Sequence, residues 1–547
     1  MAGSDYARLM KQDFNDLESA AKAWTRVAEE MEGLAARHRS QVTGPLRHSW
    51  KGDDADGAFY YLEEVESRLD VVRTEGMTIG RVLETTRFWM QQAQTDLRNA
   101  VSRAEENGYA VDEDGNVTDP QSAALPHNDP DAQELARQRS GPRYEFQDRI
   151  DAAVHDALKA SADGVRALSS LDAMIMDRFN DGASAESLHD VRDAMKAIGV
   201  QDPQIPDDPK AAAEWWKALS PEEQDEYATL YPAQIGGTDG LPSDVRDHAN
   251  RLALEQEYND LEFGGPEDFK DISLDERNKR LQNLHALQDQ LNQRDGAPKG
   301  KELYLLNYKS AGDGQAVIAM GNPDTAAHTG VLVPGTNTTM DSVGGQLNRI
   351  GTLQNSATKW SDGQPVSTVM WLGYDAPEAS GGDLNSSVTT KGRAEDGAPD
   401  LRHFIAGTRA AQGDRHGHIT VIGHSYGSTT VGAAAAGGDG LGADDIAVVG
   451  SPGMTVDHAS DLHMDPSHVW VGAAPDDPII DDFSDLSLGD NPAEEPFGGR
   501  NFDVDTHGHS GYWDQGSQSL DNQGRIIAGI PPTEVPKQDN DVPLLPW

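Results

Sequence analysis

The sequence predicts an α/β fold built on a mostly parallel sheet with helices on both faces, preceded by an all-α N-terminal hairpin and a helical middle region. Three observations point there. Two long stretches up to about residue 105 carry apolar residues at helical spacing, a further helical stretch runs to about residue 294, and beyond it short β-rich runs alternate with helical patterns. At 547 residues the chain is too long for one core, given ~100–200 residues per domain. The expected organisation is a hairpin over 1–118, a linker over 119–130, a helical region over 131–294, an α/β domain over 295–535 and a tail over 536–547.

From residue 5 to about 44, Tyr6, Leu9, Phe14, Leu17, Ala21, Trp24, Val27, Met31 and Leu34 recur at helical spacing, which reads as one amphipathic helix stopping at Thr43-Gly44-Pro45. A second follows from about 54 to 105, through Phe59, Leu62, Val65, Leu69, Val72, Met77, Val82, Phe88 and Leu97. Two long helices joined by a short break make an antiparallel hairpin. Ser49-Trp50-Lys51-Gly52 lies in that break, and here the chain resembles the Trp-x-Gly helical-hairpin family of type VII secretion systems. Trp371-Leu372-Gly373 and Trp470-Val471-Gly472 carry the same tripeptide but read as strands. Residues 109–113 fit the Tyr-x-x-x-Asp/Glu export signal of that family; the competing expectation for YAVDEDGNVTD is a β-hairpin turning at Asp114-Gly115.

Pro, Asp, Asn and Ser crowd residues 119–130, hence the linker. In the helical region, Ser220-Pro221-Glu222-Glu223 has the form of a helix start with Pro at the first helical position. Trp215 and Trp216 are expected in packing rather than as a substrate platform. Gly240-Leu241-Pro242 reads as a fixed turn before another helix through Arg246, Asp247 and Asn250. Strands are then expected at 304–308, 316–320, 330–333, 368–372, 418–422, 446–449 and 468–471, with helices near 340–360, 401–412 and 429–436. Nearly all-apolar strands separated by helices indicate a parallel sheet covered on both faces, with the leading pair open to antiparallel pairing.

Chemistry concentrates in Gly423-His424-Ser425-Tyr426-Gly427. With 55 glycines in the chain, a Gly-x-Ser-x-Gly match counts only in context, and the context is present. A buried-strand pattern precedes it and a small-residue helix, Ser428-Thr-Thr-Val-Gly-Ala-Ala-Ala-Ala, follows, the order a nucleophile elbow requires. Gly423 and Gly427 leave room for a strained serine turn. A serine hydroxyl needs a base, and the base an orienting acid; in α/β-hydrolases they follow in the order Ser, Asp or Glu, His. Asp477, in Pro475-Asp476-Asp477-Pro478 after a strand pattern, is the favoured acid, with Asp476 the alternate. In Thr506-His507-Gly508-His509, His509 is favoured over His507 as base, and His424 is expected to be structural. The oxyanion donors are expected to be the backbone N–H groups of Tyr426 and of Thr336, in the loop Pro334-Gly335-Thr336-Asn337. No metal site or cofactor is expected: there is no His-Glu-x-x-His motif and no Gly-rich phosphate loop.

From about residue 215 to 529 the chain is similar to a family of uncharacterised α/β-hydrolases of Gram-positive bacteria, through the blocks GLPSDVRDHAN, VLVPGTNT, VMWLGYDAP, VIGHSYGS, VVGSPG, WVGAAPDDPI, HSGYW and IIAGI. The resemblance implies the same roles for Ser425, Asp477 and His509, and a frequent fusion to N-terminal helical hairpins. It supplies no substrate.

With 45 basic against 92 acidic side chains the formal charge is −47, which repels nucleic acid and anionic lipid surfaces. The chain has no cysteine, which excludes disulfides, thiol nucleophiles and thiolate metal sites. Neither a cleavable secretory signal nor a membrane span is expected, so the protein is placed in the cytoplasm or on a type VII export route. The leading expectation is an esterase or acyl hydrolase acting on a small-molecule or lipid-like acyl substrate. The 6% aromatic content and the lack of an apolar lid argue against a dedicated lipase. The alternatives are an interaction protein whose hairpin meets a helical partner or the secretion machinery, with the hydrolase fold as scaffold, and a toxic effector.

Overall fold

A computed structural model of the protein describes residues 2–50, 53–124, 130–172, 194–198, 202–263, 272–294, 297–379, 387–483 and 488–535. Lys51 and Gly52 of the Trp-x-Gly tripeptide and the expected tail 536–547 lie outside them. The chain divides into two compact units, Met1–Pro203 and Gln204–Trp547. No helix among the described residues is long and apolar enough to cross a membrane.

In the first unit, helices Ala2–Lys11 and Asn15–His38 lie against the long helix Asp53–Glu106. Their contacts run in opposite senses: the Leu9 carbonyl accepts from Gln94 Nε2, Ala21 and Thr25 face Gly80, and Ala28 faces Gly76. This is the expected antiparallel pair. The expected single first helix is instead broken, because Asp13 accepts from the backbone and side-chain nitrogens of Asn15 and starts the helical ladder afresh. Nor does helical backbone stop at Pro45. It passes through a π-helical turn, Arg39–Thr43, into Gly44–Ser49, where Pro45 occupies the first turn and its missing N–H leaves no bond unmade. Trp50 is extended and exposed between this turn of helix and the next.

After the long helix, β1 (Ala110–Val111) and β2 (Val117–Thr118) pair antiparallel. The Asp112 carboxylate accepts from the Asp114 and Asn116 backbone N–H groups to close the turn, so this segment is the hairpin of the two expectations. Tyr109 is buried against Phe146, with the Arg139 guanidinium 4.2 Å from its ring centre. The expected linker contains a helical turn, Pro120–Ala123, capped by Asp119, and Arg139 of helix Pro130–Asp172 pairs with the same carboxylate.

The second unit carries an eight-stranded sheet of β3 (Leu303–Lys309), β4 (Gln315–Met320), β5 (His328–Val333), β6 (Val366–Leu372), β7 (His418–His424), β8 (Asp445–Val449), β9 (Val469–Gly472) and β10 (Arg500–Asn501). Across the sheet the order is β10-β9-β8-β7-β5-β6-β4-β3. β3 pairs antiparallel with β4, and β4 with β6; the other five pairings are parallel. The leading pair is therefore antiparallel and the rest is the predicted parallel sheet. β10, two residues long, had no pattern to announce it.

Both faces are covered. On one, the Thr368 and Thr420 hydroxyls donate to the Ile350 and Ile526 carbonyls of helices Val343–Trp360 and Gln518–Ile527. Helices Gly392–Gln412 and Tyr426–Ala436 pack together on the other. β6 is buried at every residue, which explains its continuous apolar run.

The β3 edge is sealed by helix Ser243–Phe263. Arg246, Asn250 and Arg251 donate to the carbonyls of Leu306, Leu305 and Leu303, and Asp247 accepts from the Leu305 N–H. Such cover removes the open row of donors and acceptors that makes an edge strand prone to pair with another chain. The expected helix start at Ser220 is a capping box with Pro221 in the first turn, and Trp216 is buried while Trp215 stacks on Tyr227 at 5.8 Å.

Candidate functional site

Parallel strands deliver their C-terminal ends to one edge of the sheet, and the predicted site residues collect there. β7 ends at His424, and the chain turns at Ser425 into helix Tyr426–Ala436. Ser425 takes φ 54° and ψ −133°, a left-handed conformation that costs a side-chain-bearing residue about 1–3 kcal/mol. Neighbours hold it there. Its N–H donates to the Val449 carbonyl at 3.1 Å, and its carbonyl accepts from the Ser428 hydroxyl at 2.6 Å. The tightness of the turn accounts for the glycines: a Cβ on Gly423 would lie 2.5 Å from Ser428 Cα, and one on Gly427 would strike the Val333 and Pro334 carbonyls.

The loop after β5 lies directly over this turn. A Cβ on Gly335 would come within 2.7 Å of Ser425 Cβ and 2.9 Å of the Tyr426 nitrogen, so only glycine lets the two backbones approach so closely. Thr336, the expected second oxyanion donor, is the next residue of this loop. Asn337, at φ 60°, braces the loop by donating its N–H to the Pro377 carbonyl and accepting the Ala379 N–H on its side-chain oxygen.

Asp477, beyond the end of β9, has a fully buried side chain. His509 Nδ1 lies 2.9 and 3.0 Å from its two oxygens. Burial raises the Asp477 carboxyl, but hydrogen bonds from His509 and Tyr512 and the His509 charge outweigh it and hold the group below the ordinary carboxylate range. An ionised carboxylate only accepts, so Nδ1 carries the proton and Nε2 of a neutral His509 is left with its lone pair, the tautomer a general base needs. The ring of His509 stands 4.8 Å from that of His424, the residue before Ser425.

The alternates pair with each other elsewhere. His507 Nδ1 is 3.3 Å from Asp476, with 81% and 57% of the two side chains exposed, and Asp476 also accepts the Gly508 N–H. The two adjacent aspartates thus meet two different histidines, one through a fully buried carboxylate and one in solvent.

Two residues escaped sequence reasoning. Tyr512, fully buried, donates its hydroxyl to Asp477 Oδ2 at 2.7 Å and accepts the Ala474 N–H at 3.1 Å; its own pKa is driven far up, first by burial. Gly450, at φ 58°, sits where a Cβ would come 2.8 Å from Asp477 Oδ2 and 3.1 Å from His509. Both lay within the recognised blocks HSGYW and VVGSPG, but a contact with the acid could not be read from spacing. A cavity of about 390 Å³ opens where β6 ends, lined in part by Asp239, Arg246, His403 and Trp371 and by none of Ser425, Asp477 or His509. Three of its ionisable groups engage one another: Asp239 lies 2.8 Å from Arg246 and 3.1 Å from His403.

Comparison with known proteins bears on this arrangement. Residues 309–487 match a family model described as alpha/beta hydrolase. An uncharacterised protein of Mycobacterium tuberculosis is 28% identical over 539 residues, spanning 86% of this chain and 78% of its own. Shorter uncharacterised proteins of Mycobacterium tuberculosis and Mycobacterium bovis are 31% identical over 228 residues, spanning 40% of this chain and 81% of theirs. The chain belongs to the alpha/beta hydrolase family. No solved structure matches this hydrolase significantly. The family match ends at residue 487, before His509.

Proposed function

We propose that this hydrolase cleaves an ester or other acyl bond through a serine acyl-enzyme. Ser425 Oγ attacks the acyl carbonyl while His509 Nε2 takes its proton; the collapsing tetrahedral intermediate expels the leaving group, which receives that proton from His509. Water then attacks the acyl-enzyme with His509 again as base, the acid leaves, and Ser425 regains its proton. Asp477 holds the imidazole and stabilises the imidazolium, and Tyr512 holds Asp477. The N–H groups of Tyr426 and Thr336 receive the oxyanion, aided by the positive end of helix Tyr426–Ala436. The observation that carries this reading is the Asp477–His509 pair, whose imidazole packs 4.8 Å from the ring of His424, the residue before Ser425 in the left-handed turn at the end of β7.

The test is labelling with a fluorophosphonate, which phosphonylates activated serines with loss of fluoride. Native protein and His507→Ala should label, while Ser425→Ala and His509→Ala should not. Native protein that stays unlabelled, or labelling that survives Ser425→Ala, rejects the reading.

The exposed Trp50 between the N-terminal helices supports a second reading, a type VII secretion-associated partner or effector that carries the hydrolase as scaffold or toxin. Secretion by a type VII-competent host that is lost on Trp50→Ala would favour it. Toxicity on expression that persists in Ser425→Ala would assign the effect to something other than hydrolysis.

A further inference from the structure

His424 links the nucleophile to its strand, and the scheme above gives it no part. Its side chain is nonetheless placed against the base. Nε2 lies 2.9 Å from the His509 carbonyl, and because a carbonyl only accepts, Nε2 donates. The ring is 4.8 Å from the His509 ring at 32° and 4.8 Å from the Trp513 ring at 76°. Trp513 in turn lies under the Arg349 guanidinium, 4.4 Å from the ring centre.

The need for such a contact follows from how His509 is held. It stands on a loop between β10 and the short turn Gly511–Trp513, and Asp477 grips the imidazole at Nδ1 alone. A ring held at one nitrogen can pivot about that bond, which swings Nε2 away from the nucleophile. A hydrogen bond to the backbone carbonyl together with a ring against the imidazole face removes that freedom. Burial, and then the charge of His509, push the His424 pKa down to about 3, so the donor stays neutral and no second cation forms beside the base.

We propose that His424 is a positioning residue for the hydrolase reaction, its Nε2–H tethering the His509 backbone and its ring supporting the imidazole so that Nε2 of His509 stays aimed at Ser425. The proposal rests on the serine-hydrolase reading. Misplacing a reacting group by about 1 Å costs on the order of 100-fold in rate, so the tether should act on the chemical step rather than on substrate binding.

The experiment uses the full chain and two readouts: the second-order rate of fluorophosphonate labelling, and kcat and KM for a short nitrophenyl acyl ester. His424→Gln keeps a donor at the Nε2 position; His424→Phe keeps a ring and removes the donor. His424→Phe should lose about 10- to 100-fold in labelling rate and kcat with KM unchanged, while His424→Gln recovers most of the loss at a comparable melting temperature. Should His424→Phe fail to fold, His424→Asn takes its place, polar but too short to reach the carbonyl. Labelling of the donor-less variant at the native rate overturns the proposal, as does an equal loss in both variants, which would mark a packing role. If native protein does not label at Ser425, the hydrolase reading fails and the tether with it; an active native enzyme that does not notice the substitution sinks the tether alone.

Discussion

His509 Nδ1 meets both oxygens of Asp477, at 2.9 and 3.0 Å, while the neighbouring Asp476 turns outward to His507. Replacing either aspartate by asparagine changes one atom, but in the proposed reaction only Asp477 orients the base. Asp477→Asn should lower kcat by about 10⁴-fold, because an amide can face Nδ1 with its own N–H and favour the wrong tautomer. Asp476→Asn should label with fluorophosphonate at the native rate. Equal effects of the two substitutions would contradict the assignment.

Gly450→Ala tests how closely the site is packed. The new methyl group would occupy space 2.8 Å from the acid and 3.1 Å from the base, at a backbone φ of 58° that alanine resists. Labelling should fall at least tenfold, while circular dichroism shows the fold retained. An alanine variant with native labelling would mean that the pair yields without loss.

Tyr512→Phe removes the hydroxyl that donates to Asp477 and accepts the Ala474 N–H. Leaving buried polar groups without a partner costs about 1–3 kcal/mol, which urea denaturation of the full chain should detect. The same change removes one of the bonds that hold the Asp477 carboxyl low, so its pKa should rise and the acid limb of the activity profile should move to higher pH. A profile unchanged on the acid side would argue that the hydroxyl only fills space.

Two histidines away from the Asp477–His509 pair are expected to set a pH dependence of stability. His403 bridges Asp239 and the Asp207 carbonyl at 3.1 and 2.7 Å, and His418 bridges Asp445 and the Ile527 carbonyl at 2.8 and 3.2 Å. The bond to Asp239 lifts the His403 pKa above 6.5. At His418 burial lowers it, but the bond and charge of Asp445 outweigh that and the net direction is again upward. A group whose folded pKa is raised stabilises fully below its unfolded pKa and loses that contribution as pH rises through the folded value. The melting temperature should therefore decline as pH rises above the ordinary histidine range, and less so in the His403→Gln, His418→Gln double variant. A decline of equal size in both proteins would place its origin elsewhere.

Arg246 is 4% exposed, pairs with Asp239 at 2.8 Å and donates to the Gly236 and Leu306 carbonyls. Breaking a buried pair by removing one partner costs about 3–5 kcal/mol. Arg246→Ala should show that loss on denaturation together with concentration-dependent association, since the β3 edge is then partly uncovered. Loss of stability without association would show that Asp247, Asn250 and Arg251 suffice as edge cover.

The parts of this molecule that were legible in the sequence are those in which a local pattern determines a local shape. The turn at Ser425 was visible because strand, small residues and helix are contiguous, and the parallel sheet because strands buried on both faces read as unbroken apolar runs. Asp477 and His509 could be named by order along the chain, yet nothing in Asp476-Asp477 or His507-Gly508-His509 says which aspartate meets which histidine; that follows from which side chain the packing buries. The contacts of Tyr512, Gly450 and His424 join segments far apart in sequence, so periodicity could not reach them. The first helix was misread because its apolar spacing continues across Asp13, whose side chain competes with the helical ladder.

The bonds that seal β3 bear on where the chain can be divided. Arg246, Asp247, Asn250 and Arg251 precede the first strand of the sheet by some fifty residues of chain, yet they complete its hydrogen bonding. A fragment beginning at the first strand would present Leu303, Leu305 and Leu306 as a raw margin to any neighbour, and its tendency to precipitate would reflect the cut rather than the native chain. The smallest soluble piece that retains the chemistry should begin before helix Ser243–Phe263 and end after helix Gln518–Ile527, whose Ile527 fills the space above Gly330.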